Sequence, residues 1–134
     1  MRVLVTGSRT WSDYKPIFDA LSNVLAEHPD MVLVHGGAVG ADSAAAAWAR
    51  IHHVRAECHE AQWATDGRSA GLIRNRAMVN AEADLGLALI RGRSRGASHC
   101  ADLAEKAGIE TRRIPWEGRS GLAETSRDRT SEQE

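Results

Sequence analysis

Three short segments concentrate the residues able to hold an anion: GSRTW (Gly7–Trp11), HGGAVGAD (His35–Asp42) and RGRSRGAS (Arg91–Ser98). Glycine lets backbone N–H groups approach a ligand, serine adds a hydroxyl, and arginine offers a planar cationic fork, a combination that suits phosphate oxygens. The candidates are Gly7, Ser8 and Arg9 in the first segment and Gly36, Gly37, Ala38, Gly40 and Asp42 in the second. Gly92, Ser94 and Gly96 stand in the third, with Arg91, Arg93 and Arg95 among them. Arg9, directly after Gly7-Ser8, is the strongest of the arginines, because each of the other three is better read as a solvated loop cation. Gly36, Gly37 and Gly40 also suit a tight strand-to-helix turn with no ligand, although three coincident loops favour phosphate. Asp42 suits the positive end of a helix as well as a ligand contact.

Other chemistries lack their residues. The first turn has no G-x-G-x-x-G and the second strand ends in His35 instead of a ribose-binding acid, which disfavours an NAD dehydrogenase; no P-loop signature occurs. The six histidines lack metal-site spacing, and neither a metal nor a cofactor is expected. Cys58 and Cys100 form no disulfide pattern, no apolar run reaches membrane length, and no signal peptide is evident, so a cytoplasmic protein without membrane contact is expected. Trp11 and Trp63 fall in predicted loops and are the better candidates for stacking on a base.

These loops need a scaffold. Apolar runs within Arg2–Thr6 (RVLVT), Met31–Gly37 (MVLVHGG) and Leu85–Ile90 (LGLALI) read as buried strands, with VRAECHEA and IETRRI as two more. Between them lie helical patterns: Asp13 caps a helix running to about His28, a second covers Ala38 to about His53, a third SAGLIRNRAMVNAEAD, and a fourth SHCADLAEKAG, closed by Gly108. Five alternations of strand and helix predict a Rossmann-like α/β three-layer sandwich with a mostly parallel sheet of order 3-2-1-4-5. Ligands of such sheets bind at the carboxyl ends of the strands, here between strands one and four. The 134 residues divide into a domain over 1–116 and a charged tail over 117–134 with too few apolar residues for a core.

GSRTW, HGGAVGADSAAAAWA and AQWATDGRSAGLIRNRAM together resemble the YspA-type, YpsA-related branch of the SLOG superfamily over Met1 to Pro115. That superfamily includes DNA-processing protein A, molybdenum-cofactor carriers and the LOG phosphoribohydrolases. The resemblance implies a nucleotide-derived ligand, a homo-oligomer, and site roles for Gly7, Ser8, Arg9, Gly36, Gly37, Ala38, Gly40 and Asp42. It alone adds Trp63, Gly71, Arg74 and Asn75. The chain departs from LOG enzymes where they carry P-G-G-x-G-T-x-x-E: Gly96 remains, but Ala97 takes the threonine position and Cys100 the glutamate position. No catalytic residue is assigned. Binding or sensing of a phosphate-containing nucleotide derivative is therefore expected ahead of N-glycosidic hydrolysis. Single-stranded DNA is expected to be an unlikely partner, because aromatic residues are sparse. The tail holds five acids and three arginines, so the overall charge of −1 leaves residues 1–116 at only +1.

Overall fold

Strand β1 (Arg2–Gly7) is central because Val3, Leu4 and Val5 have almost no exposed surface and must be covered on both faces. The computed structural model describes residues 1–116, and the expected tail over 117–134 lies outside the described residues. β1 pairs in parallel with β2 (Val32–His35) on one side and β4 (Leu85–Ile90) on the other. β3 (Arg55–Cys58) and β5 (Glu110–Pro115) complete an all-parallel sheet of order β3-β2-β1-β4-β5, as predicted.

Alternation along β1 divides the core. Val3 and Val5 face helices α1 (Tyr14–Glu27) and α2 (Ala41–His52), where Ile17, Leu21 and Val24 meet Ala44, Ala45 and Trp48. Leu4 faces the opposite layer with Met78 and Val79 of α4 (Ala70–Asn80) and Cys100 and Ala104 of α5 (Arg95–Lys106). The small side chains of α2 let it lie close to the sheet.

Helix ends follow the expected chemistry. The Asp13 carboxylate accepts from the Lys15 N–H at 3.2 Å at the start of α1. Gly108, at φ +85°, lets the Ile109 N–H return to the Ala104 carbonyl at the end of α5. The predicted third helix is instead a short helix α3 (Trp63–Asp66), a 3₁₀ turn Gly67–Ser69 and then α4; Gly67, at φ +61°, breaks the run. Among the described residues no helix is long and apolar enough to cross a membrane.

Candidate functional site

Because α1 and α2 cover one face and α4 and α5 the other, the chain leaves β1 and β4 in opposite directions and opens a crevice above their ends. The crevice is a cavity of about 350 Å³. Thr6 to Thr10 form one wall, and Ala38 and Asp42 enter from the second loop and α2. Trp63, Gly71, Arg74, Asn75 and Met78 come from α3 and α4, while Arg91 and Arg93 to Ala97 form the fourth-strand side. Eleven of the sequence candidates thus meet in one cavity, Gly7, Ser8, Arg9, Ala38, Asp42, Trp63, Gly71, Arg74, Asn75, Ser94 and Gly96, with Arg91, Arg93 and Arg95 beside them. Gly36 and Gly37 line an adjoining cavity of about 410 Å³ that shares Arg9, Ala38, Trp63 and Arg74 with the first. Gly40 lines a third recess beside Arg9 and Thr10, and Gly92 lines none of these.

The glycine turn after β2 has an occupant of its own. The N–H groups of Gly36 and Ala38 donate to Asp42 Oδ2 at 3.1 and 3.3 Å, and the Gly37 N–H donates to His35 Nδ1 at 3.1 Å. The donors that sequence reasoning offered to a phosphate are therefore satisfied by side chains of the same segment. Gly40 serves close packing: at φ +82°, a Cβ there would overlap the carbonyl groups of Ser8 and Arg9. Gly40→Ala is expected to destabilise the fold by about 1–3 kcal/mol, since backbone strain and overlap add. Gly96→Ala should be neutral or stabilising by about 0.5–1 kcal/mol, because a Cβ at Gly96 meets nothing within 4 Å and alanine favours the helix. Urea unfolding of the two variants tests this pair; equal costs would contradict it.

Free donors lie on the other wall. Ser94 precedes α5, yet its hydroxyl donates to the Arg91 carbonyl at 3.1 Å and makes no cap to the helix N–H groups. Arg95, Gly96 and Ala97, which open α5, all line the cavity. Ser8 is buried and ties the two walls: its Oγ accepts from the Arg91 N–H at 2.7 Å and pairs with Ser94 Oγ. Asn75, also buried, donates from Nδ2 to the Gly96 carbonyl at 3.1 Å and accepts from Arg74 Nε at 3.0 Å. Arg74 donates to the Gly36 carbonyl at 2.9 Å, so one guanidinium links the β2 loop to α4.

Arg91 is a structural strut. Its Nη1 donates to the Thr10 carbonyl at 2.9 Å, and its guanidinium lies 4.4 Å from the centroid of Trp116. Trp11, expected as a stacking platform, is 2% exposed and packs edge-on against Trp116; its indole N–H is used by the Asp13 carbonyl, so it cannot stack a base. Trp63, 53% exposed on the cavity rim, can. Thr6 also lines the cavity and escaped sequence reasoning because it sits inside an apolar strand run, where nothing distinguishes a ligand-facing hydroxyl from a packed one.

One group is electrostatically unusual. Asp42 is 5% exposed, and burial pushes its carboxyl up to about 6; the Ala38 N–H, the Arg74 charge and the Gly36 N–H offset only part of that rise. Its Oδ1 is buried without a hydrogen-bond partner.

Residues 1–65 match the model of the YspA, cpYpsA-related SLOG family. The Gene 61 protein of Mycobacterium phage D29 is 47% identical over 114 residues, which covers 81% of this chain and 91% of that protein. The chain belongs to the YspA, cpYpsA-related SLOG family. Among solved structures, this SLOG chain is similar to DNA processing protein A from Streptococcus pneumoniae (TM-score 0.70, 19% identity, 98% of this chain and 56% of that one). It therefore spans little more than half of the pneumococcal chain. DNA processing protein A from Helicobacter pylori, which has a single-stranded DNA binding mode, matches at TM-score 0.61 and 18% identity over 100% of this chain and 74% of that one. These likenesses place the SLOG chain in a Rossmann-like fold. They also correct the expectation that nucleic acid is an unlikely partner. A protein of this fold binds single-stranded DNA, so sparse aromatics and a near-neutral charge do not set nucleic acid aside.

Proposed function

We propose that the cavity between β1 and β4 binds a phosphate-bearing, nucleotide-derived ligand, with the phosphate against the start of α5. The observation that carries this reading is the opening of α5 into the cavity without a side-chain cap, beside Arg93 and Arg95. Unpaired N–H groups and the positive end of a 12-residue helix favour an anion there. Arg9 reaches the same cavity from the opposite wall and borders the adjoining one, and Trp63 offers a face for a base. Ligand sensing is the role such a site suits, because the residues that line it bind and position.

Thermal unfolding in the presence of nucleoside monophosphates, dinucleotides and ADP-ribose derivatives tests this. A ligand at a hundred times its dissociation constant should add about 2.7 kcal/mol of stability. Absence of any shift, together with absence of calorimetric heat at millimolar ligand, would overturn the reading.

A second reading is single-stranded DNA, favoured by the fold shared with the Helicobacter pylori protein. Anisotropy of a labelled oligodeoxynucleotide separates the two: DNA binding that a saturating mononucleotide does not displace would place the strand outside this cavity.

A further inference from the structure

The recess of about 410 Å³ beside the β1–β4 cavity shares Arg9, Ala38, Trp63 and Arg74 with it. A nucleotide whose phosphate sits against α5 and whose base stacks on the exposed indole of Trp63 lies at the border of the two spaces, where it can turn one edge of the base into the recess. What that edge meets depends on which polar groups of the recess are still free. The N–H groups of Gly36 and Ala38 are spent on Asp42, and that of Gly37 on His35. The Gly36 carbonyl is taken by Arg74 and the Ala38 carbonyl by the Ser43 hydroxyl. The charged acceptor left over is the carboxylate of Glu60, which lines the recess and takes part in no ion pair among the described residues. Its side chain lies against the β2 turn: a Cβ placed on Gly37 would meet Glu60 Cγ at 3.1 Å and Oε2 at 3.7 Å, so the glycine leaves room for it.

A carboxylate has no donor and accepts two parallel hydrogen bonds from N–H groups set side by side. On its Watson–Crick edge guanine carries such a pair, the ring N1–H and the amino group at C2. Adenine and cytosine place an acceptor nitrogen beside their amino group, and uracil flanks its single N–H with two carbonyls, so each turns a lone pair toward the carboxylate. We propose that Glu60 reads the base and selects guanine, so that the ligand of this site is a guanine nucleotide. The proposal rests on the phosphate reading above: α5 holds the phosphate, Trp63 carries the base, and Glu60 is the specificity-determining residue at its edge.

Calorimetric titration of the full chain with guanosine, inosine and adenosine 5′-monophosphates tests it. The guanosine form should bind about ten- to hundredfold more tightly than the adenosine form, the range for a good bidentate base contact. The inosine form, which keeps N1–H and lacks the amino group, should fall between them. In Glu60→Gln one oxygen becomes an NH₂ that faces a guanine donor, and the preference should drop to about threefold or less. Trp63→Ala should weaken all three by a similar factor, about five- to hundredfold, through lost stacking. Equal binding of the guanosine and adenosine forms by the wild type would overturn the guanine inference and leave the phosphate site standing. A preference undiminished in Glu60→Gln would overturn the assignment to Glu60, and unchanged affinities in Trp63→Ala would take the base off the indole and overturn its placement. Binding of none of the three would sink the phosphate reading and this inference together. Glu60 is exposed and outside every helix and strand, so Glu60→Gln should fold as the wild type does, and the comparison of bases on the wild type needs no variant.

Discussion

Asp42→Asn should resist urea better than the wild type at pH 7, by an amount on the order of 3 kcal/mol, and the advantage should disappear toward pH 4. Burial raises this carboxyl from 3.8 to about 6. Between those values the folded protein holds a proton that the unfolded chain has released, so the native state binds more protons and stability falls as pH rises through the window. Above about pH 6 the cost is fully present, and at roughly 1.4 kcal/mol per pH unit it reaches the size stated. Asparagine removes the charge and keeps an oxygen for Gly36 and Ala38. Glu57 and Glu105 titrate in the opposite sense, held low by Arg2 and Arg113, but they do so in both proteins and cancel in the difference. Urea midpoints at pH 4, 5, 6 and 7 give the profile. A variant less stable than the wild type at every pH would show that the Asp42 charge is compensated in the native state, and the cost described here would not exist.

A stability cost of that kind explains what the sequence left open. Asp42 suited a helix terminus and a ligand contact equally well on paper, because its position in the first turn of α2 is favourable for any carboxylate. What sequence could not reveal is that the preceding turn folds back, fills the Gly36 and Ala38 donors with Oδ2, and buries Oδ1. The same limit misplaced Trp11. Its neighbours Arg9, Thr10 and Ser12 read as a polar loop, but Trp116, more than a hundred residues away, closes over it. By contrast, features set by local chemistry were legible. The apolar runs of β1, β2 and β4 demanded coverage on both faces, the alternation of strand and helix gave the parallel order, and Asp13 and Gly108 marked helix ends through contacts within a few residues. Arg74 and Asn75 lie between these cases: periodicity gives two polar positions on a helix, and only the packing of α4 against α5 makes Asn75 the brace of the Gly96 carbonyl.

Ribonucleoside monophosphates incubated with the protein should release free base no faster than in buffer, because the cavity lacks an acid placed and charged for glycosidic cleavage. Loss of general acid or base assistance typically lowers a rate by about 10²–10⁴. The position where LOG enzymes carry glutamate is Cys100, which has no exposed surface and whose thiol burial pushes up to about 11, so it stays neutral and out of reach. Asp102 and Glu105, on the same helix, are engaged by Arg113 at 2.8 and 2.9 Å. Among the described residues, Asp66 does not line the cavity and Asp42 is the one carboxylate that does. With Oδ2 fixed by two backbone donors and Oδ1 almost without exposed surface, Asp42 has no oxygen open to the leaving base. Chromatography of free base over a day, with wild type and Asp42→Asn in parallel, decides the matter. Release that saturates with nucleotide and vanishes in Asp42→Asn would make this site a hydrolase. A carboxyl tuned to about 6 would then be the acid that protonates the departing base, and the stability it costs would be the cost of catalysis.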